Sequence, residues 1–192
     1  MRILAASDVH GNRYAVQLLR KKAVKADVIA IAGDLTVFEE DIEELVKLLS
    51  STGRPLVVVP GNHELSDTFD FLADIYNVLN VNGRVVDING VFFGGVGGQF
   101  GMLTINDTVV SQTVKNISSV DVFLTHIPPY GTKLDFLFGE HVGSKAIREF
   151  IERKKPKLVI TGHLHENAKV VDKINNTVVV NPGPEGMFLD LE

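Results

Sequence analysis

Five short apolar runs limit most strictly how this chain can fold: "RILAAS", "VIAIAG", "LVVVPG", "VFLTH" and "LVITG". Each is uninterrupted, rich in β-branched residues and bounded by Gly, Pro or Asp. A strand with one wet face alternates polar and apolar; a strand covered on both faces reads like these. Between them lie amphipathic segments. Ile42, Leu45, Val46 and Leu49 share one helical face, as do Ala146, Ile147, Phe150 and Ile151 behind Ser144 as N-cap. Ala15, Leu18 and Leu19 predict a third helix, and Phe71, Leu72 and Ile75 a fourth. "RVVDINGVFFGGVGG" predicts a hairpin turning at Asn89-Gly90. The tail predicts three short antiparallel strands with turns near Asn175-Asn176 and Pro184-Gly186. The expected class is α/β, with two packed sheets and helices outside. The glycine-rich segment Gly94 to Met102 reads as a mobile loop.

The 192 residues suit a single domain, 1–192, with no linker or repeat. A net charge of −5 without a basic run speaks against broad nucleic-acid binding. Cysteine is absent, so any transition metal must be held by nitrogen and oxygen. No run approaches the roughly 20 apolar residues of a membrane span, and "MRILAASD" reads as a first strand, not a signal peptide. Cytoplasm is the expected compartment, and a homo-oligomer is left open.

The polar residues sit where these strands end. "SDVHGN" carries Asp8 and His10, "GDLT" Asp34, "GNHE" Asn62, His63 and Glu64, "VFLTH" His126, and "GHLH" His163 and His165. In an extended segment, residues i and i+2 point to one side, so each D-x-H or H-x-H pair is expected to emerge together. In open α/β sheets the carboxyl ends of the strands share a crevice. Five of the six histidines would therefore converge. Burying so many polar groups uncompensated costs several kcal/mol each, roughly 2–7. Imidazole and carboxylate suit Mn, Fe, Zn, Co or Ni, and the set is too large for one ion. Two divalent ions clamp an in-line displacement and generate hydroxide from water near neutral pH, which is what phosphoester hydrolysis needs.

The ordered set "DVH", "GD", "GNHE", "THIPP" and "GHLH" resembles the signature of the calcineurin-like metallophosphoesterases, and it spans nearly the whole chain. The resemblance implies a four-layer α/β/β/α sandwich of two mixed β-sheets flanked by helices, with two divalent transition metal ions at the sheet edges. Carried over by residue, it implies that Asp8, His10, Asp34 and His165 hold one ion. Asp34, Asn62, His126 and His163 hold the other, with Asp34 bridging. His63 is not a ligand in this family; it assists the leaving oxygen. The protein phosphatases of the family continue the second motif as GDxxDRG and place an arginine before GNHE. Here Val37 stands at the acidic position and the arginine is missing, so a protein phosphatase is not expected. The chain is more similar to the small archaeal and bacterial phosphoesterases.

Several residues have plainer readings. Glu64 is expected to cap the helix that follows. His141, in "GEHVGS", reads as a solvated loop residue. Tyr130 and Phe100 read as packing, and Arg13 as a surface residue able to reach the site. The expected function is hydrolysis of a small phosphate ester, a phosphodiester first. A phosphomonoesterase or nucleotide pyrophosphatase would use the same site. A non-catalytic scaffold of the same fold would have lost ligands that this chain keeps.

Overall fold

The computed structural model describes residues 1–98 and 106–192. Its first sheet is built from β1 (Arg2–Ala6), β2 (Val28–Ala32), β3 (Leu56–Val59) and β4 (Val78–Asn80), which run parallel. Helices α1 (Arg13–Ala23), α2 (Ile42–Ser50) and α3 (Ser66–Ala73) connect them. The second sheet has six strands. Its centre is β6 (Val91–Val96), β7 (Val122–Thr125), β10 (Leu158–Ile160) and β12 (Thr177–Val180), all parallel. Antiparallel strands β5 (Val85–Ile88) and β11 (Val171–Ile174) form its edges. Helices α4 (Asp107–Val114) and α5 (Lys145–Lys154) belong to this half, and β8 (Phe136–Leu137) pairs with β9 (Glu140–His141) as a separate ribbon.

Alternation along the buried strands explains the layering. Leu4, Ala6, Ile29, Ile31, Leu56 and Val58 pack with the apolar faces of α1, α2 and α3. Their neighbours Ile3, Ala5, Val28, Ala30, Val57 and Val59 pack instead with Phe93, Val122, Leu124, Ile160 and Val180 of the other sheet. On the far side of that sheet, Phe123, Val159 and Val179 meet Val110, Val114, Ile147, Phe150 and Ile151. Both sheets are therefore covered on both faces, and the layers run α/β/β/α. No helix among the described residues is long and apolar enough to cross a membrane.

The expected faces of α2 and α5 are the buried ones, and Ser144 Oγ accepts from Ile147 N at 3.1 Å as the N-cap. The hairpin turns at Asn89 (φ 53°) and Gly90 (φ 82°), with Ile88 opposite Val91. Three expectations need correction. In α3 the buried residues are Phe69 and Leu72, while Phe71 is exposed; Ile75, also exposed, lies beyond the helix, which ends at Ala73. In the tail only β11 and β12 form a hairpin. The last strand, β13 (Met187–Asp190), crosses to the first sheet and pairs antiparallel with β1. Gly94 and Gly95 lie buried within β6 rather than in a loop. A Cβ at Gly95 would sit 2.6 Å from Val59 Cγ1, so glycine permits the sheets to approach there. Val96 ends that strand, Gly97 and Gly98 follow it, and residues 99–102 of the glycine-rich reading, with Phe100, lie outside the described residues. Helix α4, N-capped by Asn106, is an element that the apolar spacing did not predict.

Candidate metal centre

β1, β2, β3, β7 and β10 all present their carboxyl ends to one edge of the sandwich, and the backbone there is zipped together. Asp8 N donates to Gly33 O (3.1 Å), His10 N to Asp34 O (2.9 Å) and Gly162 N to His126 O (3.0 Å). The site residues follow the strands rather than extend them. Asp8 (φ 55°), His10 (φ 47°), Asp34 (φ 52°) and His163 (φ 71°) all adopt left-handed backbone, a conformation costing about 1–3 kcal/mol each and kept where the surroundings enforce it. This corrects the extended-pair reading. His163 and His165 do not emerge on one side: His165 begins a 3₁₀ turn (His165–Asn167) and turns to Asp8 and His10, whereas His163 faces Asn62 and His126.

All eight expected site residues converge. Asp8, His10 and His165 offer ligand atoms within 4.8 Å of one another, as do His10, Asp34 and His63, and Asp8, Asp34 and His126. Asp8, His10 and Asp34 each belong to two of these groups, so the cluster is continuous. His10 Nε2 and His165 Nε2 are 3.0 Å apart. Asn62 Oδ1 lies 3.1 Å from both His126 Nε2 and His163 Nδ1, and Asp34 Oδ2 lies 3.3 Å from His126 Nε2.

These distances bring acceptors together. His126 Nδ1 lies 2.9 Å from the Ala32 carbonyl, which can only accept. The ring's proton is therefore on Nδ1, and Nε2 turns a lone pair toward Asn62 Oδ1 and Asp34 Oδ2. Asp8 Oδ2 is buried with no hydrogen-bond partner among the described residues. Such a donor set fits a cation. With none bound, a proton takes its place. Burial opposes a charge on His126, but the hydrogen bond and charge of Asp34 push its pKa up to about 9. Burial, then the charge on His126, push His163 down to about 4. Burial raises the carboxyls of Asp8 and Asp34, yet the histidines around them hold both below the usual range.

Glu64 does not cap α3, whose N-cap is Leu65. Its buried carboxylate instead accepts from Asp34 N (3.0 Å), Thr36 N (2.8 Å), Thr36 Oγ1 (2.9 Å) and Gly61 N (2.8 Å). One side chain thus ties the loop after β2 to the loop after β3. Its position directly after "GNH" was the available signal. Gly61 is required at this junction, because a Cβ there would overlap Asp34 Oδ1. Arg13 turns away from the cluster to Glu44 (2.8 Å) and Asp41 (3.0 Å).

His63 donates its backbone N–H to Asp34 Oδ1 (3.1 Å), and its Nε2 lies 4.0 Å from Asp34 Oδ2. Its buried Nδ1 has no partner among the described residues. Val37, at the position of the phosphatases' acidic residue, cannot supply one. The ring of Phe38 stands edge-on to His63 at 4.6 Å, in a segment where Phe38, Glu39 and Asp41 all have positive φ. His141 is not simply solvated: its Nδ1 lies 2.9 Å from the buried carboxylate of Asp135.

A family model described as calcineurin-like phosphoesterase matches residues 1–167. An uncharacterized protein of Methanocaldococcus jannaschii is 33% identical over 204 residues, covering 98% of this chain and 91% of the relative. A solved structure from Thermus thermophilus has the same fold, with a TM-score of 0.76 at 22% identity over 96% of this chain and 90% of that one. A structure described as a novel archaeal phosphodiesterase is similar at a TM-score of 0.52 and 17% identity, over 95% and 84%. The family match runs from the first strand through both histidines of "GHLH", the same motifs that the fold gathers at one edge, and this chain belongs to the calcineurin-like phosphoesterases.

Proposed function

We propose that this phosphoric ester hydrolase acts on phosphodiesters. Asp8, His10, Asp34 and His165 would hold one divalent ion; Asp34, Asn62, His126 and His163 would hold a second. The family works with two metal ions, which supply Lewis acidity and a water of lowered pKa. The residues contribute orientation and proton handling. Ala32 O holds the His126 proton on Nδ1, away from the ligand side. Glu64 keeps the Asp34 and Gly61 amides in place, and with them the Asp34 carboxylate. His63, its Nε2 toward the cluster, carries the proton for the leaving oxygen.

The charge around the cluster supports a diester. Two divalent ions bring four positive charges; Asp8 and Asp34 remove two and an attacking hydroxide a third, leaving about one. A diester carries about one negative charge and a monoester nearly two at neutral pH. Among the described residues no lysine or arginine side chain forms an ion pair or hydrogen bond with the cluster. Glu40 and Asp41 line the hollow beside His10. Arg13 pairs with Asp41 there (3.0 Å) and with Glu44 rather than with the cluster, while Glu40 has no ion pair among the described residues, so the hollow adds no net positive charge, and that balance carries the reading. The test compares kcat/KM for bis-nitrophenyl phosphate and nitrophenyl phosphate on metal-reconstituted protein. The diester is expected to be faster. A tenfold or larger preference for the monoester, at the same metal and pH, would overturn the proposal in favour of a phosphomonoesterase.

A further inference from the structure

Outside the metal cluster, the chain holds a second histidine–carboxylate arrangement. Asp135 is fully buried and accepts from the backbone amides of Gly131 (3.1 Å), Thr132 (2.7 Å) and Gly143 (3.0 Å), while the single hydroxyl proton of Thr132 is shared between Pro129 O (3.0 Å) and Asp135 (3.2 Å). Three backbone amides therefore hold the carboxylate in place independently of the histidine. The contact from His141 Nδ1 at 2.9 Å orients the imidazole against this fixed carboxylate. The ring is also held edgewise by Phe136 (5.1 Å, 64°) and Tyr130 (5.5 Å, 57°). With Nδ1 donating to Asp135, Nε2 is left as an acceptor, and it has no partner among the described residues.

His141 borders a shallow cavity of about 420 Å³, walled also by Thr132, Lys133, Phe136, Asn167 and Asp172. The cavity and the metal cluster share one backbone element, because Asn167, on the cavity wall, closes the same 3₁₀ turn that His165 opens. Their Cα atoms are two peptide steps apart, at most about 7.6 Å. Asn167 Nδ2 donates to Leu134 O (2.9 Å) and Phe136 O (3.2 Å), which fastens the aromatic wall to that turn. The charges of Lys133 and Asp172 oppose each other, so the pocket does not favour an anion. It offers a half-exposed aromatic face on Phe136 and an oriented ring acceptor. A flat, uncharged ring with a hydrogen-bond donor on its edge suits both.

We infer that this pocket is a nucleoside subsite: one ester arm of the phosphodiester lays its base on Phe136 and donates a hydrogen bond to His141 Nε2. The inference rests on the phosphodiester reading and adds the chemical class of one arm.

The test uses two substrates with a common leaving group, thymidine 5′-(4-nitrophenyl phosphate) and methyl 4-nitrophenyl phosphate, on the metal-loaded full chain. The wild type is expected to prefer the nucleoside diester in kcat/KM by about tenfold or more, since base stacking on an aromatic is worth that much. Phe136→Ala and His141→Ala should each lower this ratio by about tenfold, chiefly through KM. Phe138→Ala, at an exposed hairpin tip outside the cavity, should leave the ratio as in the wild type. A purely structural role for the loop would slow both substrates alike and leave the ratio unmoved, which overturns the inference; so does a wild-type ratio near one. If His141→Ala fails to fold, Phe136→Ala decides, because its side chain does not touch Asp135 by hydrogen bond. If neither diester is hydrolysed, the phosphodiester reading has failed, and thymidine binding by saturation-transfer NMR decides the subsite. Binding weakened in Phe136→Ala sustains it, and no binding ends it.

Discussion

His126 Nε2 lies 3.3 Å from Asp34, the expected bridge between the two halves of the cluster, and its proton is the most informative single atom there. Its folded-state pKa of about 9 lies above the ordinary 6.5, so in the metal-free chain the ring is charged at pH 7.5. An ion on Nε2 must displace that proton. Metal uptake at pH 7.5 should therefore release about one proton from His126, and affinity should rise with pH until about 9. His163, pushed down to about 4, is already neutral and releases none. Calorimetric titration in buffers of different ionisation enthalpy measures the release; uptake with no proton released would remove His126 from the ligand set. His63 invites a kinetic prediction. His63→Ala should keep both ions and lower turnover by roughly 10²–10⁴, more for poor leaving groups than for nitrophenolate. Loss of metal instead would make His63 a ligand. Because Phe38 packs against a ring that no hydrogen bond orients among the described residues, Phe38→Ala should lower turnover by a smaller factor. In the double variant it should add nothing further, a coupling that a double-mutant cycle reads directly.

The loops after β2 and β3 depend on Glu64 more than on any contact between their own backbones. Four buried donors converge on its carboxylate, and burial, then the nearby charge of Asp34, raises its pKa. Glu64→Ala would strand those donors. An unmade buried hydrogen bond costs about 1–3 kcal/mol, so a loss of at least about 3 kcal/mol is expected in urea unfolding, together with weakened metal binding through Asp34. A loss below about 1 kcal/mol would mean that the two loops hold each other without it. The motif "GNHE" was readable as a site, but the role of its acid was not. Capping and bracing use the same residue type, and only the path of the β2 loop distinguishes them.

Across the whole molecule, the cluster spans the sandwich. Asp8, His10, Asp34 and Asn62 follow strands of the first sheet; His126, His163 and His165 follow strands of the second. Bound ions would therefore fasten the sheets together as well as serve chemistry. An ion at 100 times its Kd stabilises the fold by about 2.7 kcal/mol. At about 2–4 °C per kcal/mol for a chain of this size, chelation should lower Tm by about 5–10 °C. Calorimetry with and without chelator checks this, and an unchanged Tm would place the ions outside the load-carrying part of the fold.

The layered α/β architecture was legible in the sequence because unbroken apolar strands need cover on both faces, and the short length and Gly or Pro ends of "VIAIAG" and "LVVVPG" favour strand over buried helix. The convergence of the candidate site residues was legible because five of the six histidines, with Asp8, Asp34 and Asn62, stand directly after such strands. Tertiary structure alone decided the rest. It sent β13 to the first sheet instead of the tail hairpin, since strand pairing is set by contacts far apart in the chain. It also divided His163 from His165. Two residues past a strand end, the left-handed turn at His163 decides where each ring points, and that turn is held by the His163 amide bonding Asp8 Oδ1, 155 residues away.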